Sequence, residues 1–260
     1  YEGKDNWMII SVDGFCEIGM ERKENQDQIF IGKHDSGVLA VLADGMGGHQ
    51  NGALASKIIC GQFSEWWSNF GKRELAGQTF EQTMSALEVI LQETNQKIFS
   101  ELSCGEVCGS TALVFWSSNN KWGLLGVGDS RCYQLQRNLF FRKLVQRSVD
   151  DVWEQQVSVR KKYASEELKR HPNYGRLTNA VGAKKNLIFH RTDGHVKKQE
   201  VFLLCSDGVY RYCDAPVLRD VCSQIKRHKD IRRCMVQLSN NVYLHGAPDN
   251  LSAIILKIDR

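Results

Sequence analysis

The sequence predicts an α+β fold in which two sheets are covered on their outer sides by pairs of helices. Three observations carry this expectation. Eight short apolar runs with turn residues at their ends recur along the 260 residues. Segments with apolar residues at every third or fourth position arrive in two pairs, one within the series of runs and one just before the last of them. Clustered strands with paired helices suit layered sheets better than a βαβ alternation.

The elements follow in order. Runs 8–12, 28–31 and 38–43 read as strands, the last being the longest apolar run in the chain. Segment 53–70 reads as a helix through Leu54, Ile58, Ile59, Phe63, Trp66, Trp67 and Phe70. Segment 80–102 reads as a second through Phe80, Met84, Leu87, Leu91, Ile98 and Leu102, and Thr79 with Gln82 makes a capping box at its start. Strands at 110–116, 122–127, 132–135 and 201–205 come next. Asp214 is the expected cap of a helix bearing Val217, Leu218, Val221 and Ile225. Asp230 is the expected cap of another bearing Ile231, Cys234, Leu238 and Val242, with Gly246 beyond its end. The strand 252–258 completes the series. The most polar stretch, 146–175, reads as a flap inserted in a single domain spanning 1–260, not as a second domain.

Composition narrows the class. The chain is 42% hydrophobic and 25% charged with three Pro, which is ordinary globular stock able to bury a core. No run approaches the ~18 apolar residues of a membrane span, and no apolar leader precedes the first strand. The chain starts at Tyr1, not Met, and so reads as a fragment. Its nine cysteines are odd in number and contain no C-x-x-C pair, the nearest approach being Cys104 and Cys108. Cys60, Cys205, Cys222 and Cys234 fall in apolar-periodic segments. Reduced thiols and a cytoplasmic setting are therefore expected, and no Cys/His spacing suits zinc.

Charge is divided unevenly. Residues 1–130 hold nine Lys and Arg against 17 Asp and Glu, whereas residues 131–260 hold 25 against 13. The basic half lacks aromatic interleaving and any nucleic-acid-binding motif. A solvated face or attraction of an anionic substrate accounts for it, and neither nucleic acid nor membrane is an expected partner.

The chemistry is expected at certain aspartates. Asp44, Asp129 and Asp207 each follow an apolar run, and Asp249 precedes one; Gly, Ser or Asn comes after each. Any one of them reads equally as a turn residue. Together with Asp27 they read as a cluster converging at one rim of a sheet. Clustered carboxylates need a cation, and the absence of soft ligands makes it a hard one, Mg²⁺ or Mn²⁺. The glycine-rich segment 45–52 opens onto the first helix, where a tight turn or a phosphate cradle are both readable.

Gly19-x-x-Arg22-x-x-Asn25-Gln26-Asp27, Ala43-Asp44-Gly45-Met46-Gly47-Gly48, Gly109-Ser110-Thr111-Ala112, Gly128-Asp129-Ser130-Arg131, Ser206-Asp207-Gly208 and Asp249-Asn250 stand in that order. The series resembles the metal-dependent Ser/Thr protein phosphatases of the PPM, or type-2C, family, particularly its short bacterial members. The stretch 176–182 is similar to the family's segment after the flap. The resemblance implies a four-layer α-β-β-α sandwich with two central, mainly antiparallel sheets. It implies hydrolysis of phosphoserine and phosphothreonine in proteins by a metal-activated water, with no covalent intermediate. Asp44 would bridge two Mn²⁺ or Mg²⁺ ions and the Gly45 carbonyl would join the second. Asp207 and Asp249 would bind the first, Asp27 would contribute to the shell through water, and Asp129 with Asp207 would offer a third position. Arg22 would clamp the phosphate, a planar fork matching its oxygens; a surface salt bridge is the plainer reading of the same residue.

Two positions depart from the family pattern. Met46 stands where many eukaryotic members carry His, leaving a metal water or His49 as the proton donor, although His49 also reads as a helix-start residue. Gln26 replaces a common acid and brings no charge. In the flap, the basic run 160–170 reads either as a tuner of substrate choice or as a solvated loop. The implied partners are phosphoproteins, targets of a Ser/Thr kinase, bound by a monomer. The alternative function is a weakly active or inactive metal-binding regulator that recognises phosphoproteins.

Overall fold

The structure, a computed structural model, describes residues 9–34, 37–47, 50–71, 78–102, 108–118, 120–137, 141–197 and 199–259. In chain order the strands are β1 (Ile9–Glu17), β2 (Asp27–His34), β3 (Gly37–Met46), β4 (Gly109–Ser110), β5 (Ala112–Ser118), β6 (Lys121–Val127), β7 (Arg131–Arg137), β8 (Arg142–Gln146), β9 (His190–His195), β10 (Glu200–Cys205) and β11 (Leu251–Asp259). They pair antiparallel into two sheets, ordered β1-β11-β10-β7-β8 and β2-β3-β5-β6-β9, with β4 against the end of β3. The helices are α1 (Gln50–Trp66), α2 (Phe80–Leu102), α3 (Val157–Lys162), α4 (Ser165–Arg170), α5 (Asp207–Tyr210), α6 (Ala215–Ser223) and α7 (His228–Leu244).

The two-residue period of a strand explains the layers. In β3, Leu39, Val41 and Ala43 pack with α1 and α2, whereas Val38, Ala40 and Leu42 face the other sheet. In β10, Val201, Leu203 and Cys205 pack with α6 and α7, whereas Phe202 and Leu204 face inward. A strand buried on both faces must be apolar at every position, which is why these runs are continuous in the sequence. Phe202 of the first sheet lies with its ring 4.8 Å from Phe115 and 5.2 Å from Trp122 of the second. Burying each such ring stabilises by roughly 1.5–3 kcal/mol. Four layers, helix-sheet-sheet-helix, follow as expected.

Several boundaries differ from the sequence reading. The first strand, of which Met8 lies outside the described residues, continues to Glu17. Asp13-Gly14, a turn dipeptide in isolation, is held opposite Ile255 and Ile254 in the β11 ladder. β8 and β9 are additional: their sequences, RKLVQ and HRTDGH, lack an apolar run because both are sheet-edge strands. The helix expected over 53–70 begins at Gln50 and ends in a π turn, Trp67–Gly71; the Phe70 side chain is outside the described set, as is that of Leu102.

Caps decide the helix ends. Thr79 and Gln82 exchange the reciprocal bonds of a capping box, at 2.8 and 3.3 Å. Asp214 accepts from the Val217 N–H at 3.0 Å. Asp230 is not the cap of α7: the helix starts at His228, and the Asp230 carboxylate reaches back to the Lys226 and Arg227 N–H groups. Those bonds hold its pKa below the usual carboxylate range. Gly246, at φ +91°, ends the helix where the sequence placed it.

The flap contains two short helices. The run 160–170 breaks at Tyr163 and Ala164, both extended. Trp153 stacks on His171 with centroids 4.1 Å apart, and Tyr163 packs beside both. A bridge between Val152 and Leu177 closes the base.

Candidate active site

Strand parity carries the acid cluster to the layer between the sheets. Asp44 continues the inward series Val38, Ala40, Leu42, and Asp27 is its register partner on β2. On the other sheet, Ser206 and Ser252 continue the inward series of β10 and β11. Ser206 Oγ donates to Asp27 Oδ2 at 2.8 Å, joining the two sheets. The carboxylates therefore meet between two sheets, not along the rim of one as the sequence suggested. Asp44 lies within β3, Asp129 in the turn from β6 to β7, Asp207 at the start of α5, and Asp249 just before β11.

Backbone contacts fix these positions. A Cβ on Gly45 would stand 2.2 Å from the Gly52 carbonyl oxygen, so only glycine lets β3 approach α1 there. A Cβ on Gly208 would stand 1.9 Å from the Asn250 carbonyl oxygen, which locks the Asp207 and Asp249 segments together. Thr111 Oγ1 accepts from the Asp44 N–H at 3.0 Å and meets Ser130 Oγ at 2.7 Å. Ser110 Oγ donates to the Asp44 carbonyl at 2.9 Å. The Gly-Ser-Thr and Gly-Asp-Ser motifs thus hold the backbone beneath the acids. Asn250 donates to the carbonyls of Ile18 and Glu24 and accepts from the Gln26 N–H, anchoring the irregular segment 18–26 that carries Arg22.

A cleft of about 340 Å³ opens at this end, lined by Arg22, Asp44, Asp129, Asp207, Arg211 and Asp249, with Gln26, Gly45 and Met46 beside them. Gly175 and Leu177 bring the end of the flap to its wall. Asp27 does not line the cleft; it is 1% exposed and lies behind. Burial, then Asp27, Asp207, Asp129 and Asp249, push Asp44 well above the usual carboxylate range. Burial lifts Asp27 to about 6 against the pull of its serine partners. Burial and Asp207 lift Asp129 to about 6, with Arg211 opposing. Asp207 is raised by burial and lowered by Arg211.

Two arginines line the cleft. Arg22 donates to Asp249 at 2.8 Å, with its own side chain 53% exposed. Arg211 pairs with Asp207 at 2.9 Å and comes within 3.9 Å of Asp129. Among the described residues no three acidic, His or Cys side chains are drawn together as a metal cage; the arginines hold two of the acids instead. The donor set nevertheless fits a hard divalent cation. Every acid there offers only oxygen, and their mutual repulsion is relieved most directly by positive charge placed among them. Gly48 and His49 lie outside the described residues, as does Cys104.

Arg211, Thr111 and the anchoring role of Asn250 were not read from the sequence as parts of this site. Arg211 carried one usable signal: it stands four residues after Asp207 at a strand-to-helix turn, the spacing that pairs side chains along a helix. Asp151 was also missed. Its carboxylate accepts from the Gly128 N–H at 3.0 Å and from Asn179 at 2.9 Å, and pairs with His190 at 2.8 Å, tying the flap to the Asp129 turn.

An oxygen-only acid cleft lined by a guanidinium, set between the sheets of a four-layer sandwich, is a site suited to phosphomonoester hydrolysis with a hard divalent cation. The chain belongs to the protein phosphatase 2C family, whose model matches residues 21–253. It is accordingly a protein phosphatase. Serine/threonine phosphatase stp of Listeria monocytogenes serotype 4b is 24% identical over 93% of this chain and 93% of its own. PppA, a key regulatory component of T6SS in Pseudomonas aeruginosa, superposes with a TM-score of 0.75 at 29% identity, over 95% of this chain and 96% of PppA. The catalytic domain of PstP in complex with two manganese ions gives a TM-score of 0.76 at 21% identity, over 97% and 100% of the two chains. Among the described residues no helix is long and apolar enough to cross a membrane.

Proposed function

We propose that this chain dephosphorylates phosphoserine and phosphothreonine in proteins through a two-ion centre built on Asp44, without a covalent intermediate. The observation that carries the reading is the convergence of Asp44, Asp129, Asp207 and Asp249 on one cleft, with Asp27 the register partner of Asp44. Asp44 would serve both ions and the Gly45 carbonyl the second. Asp207 and Asp249 would hold the first, and Asp27, behind Asp44, would act through water. When bound, Mn²⁺ or Mg²⁺ supplies a water of lowered pKa and positive charge toward the phosphoryl oxygens.

The remaining work falls to the chain's own groups. Arg22 sits on a segment that Asn250 anchors, so its guanidinium can leave Asp249 and grip two phosphate oxygens without moving its backbone. Met46 lines the cleft and cannot give a proton to the leaving alkoxide. The flap end at Gly175 and Leu177 forms the wall against which the residues flanking the phosphosite would lie. The reading takes 1–260 as a single phosphatase domain acting as a monomer on substrates of a Ser/Thr kinase. Among the described residues eight cysteines are unpaired, seven of them buried, and a cytoplasmic setting would suit them.

Hydrolysis of a phosphothreonine peptide and of p-nitrophenyl phosphate, each with Mn²⁺ and with EDTA, tests this against Asp207→Asn. Metal-dependent turnover of both substrates, lost in the variant, is expected. Turnover of the aryl phosphate alone would trace to the missing proton donor at Met46. No turnover despite Mn²⁺ binding would overturn the enzyme reading in favour of a phosphoprotein-binding regulator.

A further inference from the structure

Asp129 and Asp207 are the pair that would frame a third metal position, and the space between them is not free. Arg211 Nη2 lies 2.9 Å from Asp207 Oδ2 and 3.9 Å from Asp129 Oδ2. The Tyr210 hydroxyl donates to the same Asp129 oxygen at 3.3 Å. Oδ2 of Asp207 is thus turned toward Arg211, which follows α5, and Oδ2 of Asp129 toward Arg211 and Tyr210, the last residue of α5. We infer that the Arg211 guanidinium is the built-in cation of this position, so that the chain is a two-ion phosphatase in which Arg211 replaces the third ion. The inference rests on the two-ion reading above.

The two arginines of the cleft differ in how they are held. Arg22 reaches Asp249 across 227 residues of chain from an irregular segment. Arg211 is four residues from Asp207, its own N–H bonded to the Asp207 carbonyl at 3.0 Å, so pair and backbone belong to one helical turn. Tyr210, next to it, is pinned from the other side: the Arg131 guanidinium lies 3.8 Å over its ring, and Arg131 is itself bound to Asp150 at 2.8 Å. Substrate or ions can therefore draw Arg22 away, whereas Arg211 stays beside its acids. A planar guanidinium with five donors can serve two carboxylates at once. An ion entering between Asp129 and Asp207 would have to strip Asp207 of that partner and set two positive charges beside a half-buried third.

The test counts ions, using Mn²⁺ alone in equilibrium dialysis with metal analysis. The unaltered chain is expected to saturate at two Mn²⁺. Arg211→Ala and the size-conserving Arg211→Gln are expected to take three, and Arg211→Ala combined with Asp129→Asn is expected to return to two. Three ions in the unaltered chain, one of them lost in Asp129→Asn, would overturn the inference. So would two ions in a folded Arg211→Gln protein. Asp44→Asn separates the underlying reading: if it leaves the Mn²⁺ count unchanged, or if the unaltered chain binds none, the two-ion centre itself is wrong and the inference falls with it.

Discussion

The layer between the sheets changes character along its length. Through most of it, Leu42, Phe115, Phe202, Leu204 and Ile254 interlock without a charge. At one end the same strand faces, continued by two residues, present Asp44, Asp27, Ser206 and Ser252 instead. The burial is comparable, Asp27 being as enclosed as Leu124. The side chains differ. The apolar region offers stabilisation in excess, and the acid end uses part of it, since buried like charges oppose folding until a cation arrives. A site of this kind can exist only beside a core able to hold it.

Breaking the acid end affects function and stability in opposite directions. Asp44→Asn is expected to lower phosphopeptide turnover by about 10³-fold, the scale of lost metal and charge stabilisation. The same variant is expected to melt at a higher temperature than the unaltered chain in EDTA, because one repelled charge is gone. A lower melting temperature would show that the acids are not in conflict. Breaking the apolar region does the reverse of the second effect. Phe202→Ala is expected to cost about 3–5 kcal/mol in urea unfolding, the usual range for emptying a buried ring, with Mn²⁺ stoichiometry retained in the folded fraction.

A pH series sharpens the contrast. Asp27 and Asp129 titrate near 6 in the folded chain, above the ordinary value of 3.8. Raised carboxylates hold protons more tightly in the folded state. The stability they contribute is full below about 3.8 and is lost as pH rises through 6. Bound Mn²⁺ keeps the acids ionised, so the Mn²⁺-induced rise in melting temperature is expected to grow from pH 5 to pH 7. A gain that is flat over this interval would contradict the sign. The smallest effect is expected at the flap. Reversing charge at Lys161 and Lys162, both exposed, should shift kcat/KM among phosphopeptides of different charge by about fivefold, as a rim charge worth roughly 1 kcal/mol would, and leave aryl phosphate turnover unchanged. Equal loss on both substrates would argue for a structural role of the flap.

Legibility in the sequence followed burial. β3, β5 and β10 announced themselves because both faces are covered. β8 and β9 did not, because an edge strand can be as polar as HRTDGH and still complete a ladder. The reciprocal cap at Thr79 and Gln82 was readable because all its atoms lie within four residues. Asp230 misled for the same local reason, since a carboxylate at the cap and one at the third helical position look alike in sequence. Of the site, the six motifs named the acids and Arg22, and all but Asp27 line one cleft. Arg211 offered only its spacing of four from Asp207, and Asp151 was silent, an ordinary Asp at the base of a polar flap.

What the sequence determined by itself is the alternation that gives each strand an inward and an outward face, the helix pairs that cover the outward ones, and the family to which the acids belong. Such features depend on periods of two and 3.6 residues and on short motifs, all local properties of the chain. The tertiary structure alone decided that acids from two sheets meet across the layer between them, that Asp27 retreats behind Asp44, and that Arg211 lies between Asp129 and Asp207. Those relations join residues far apart in the chain, 179 positions in the bond from Ser206 to Asp27. Only the packing of one sheet upon the other brings such groups within a hydrogen bond's reach.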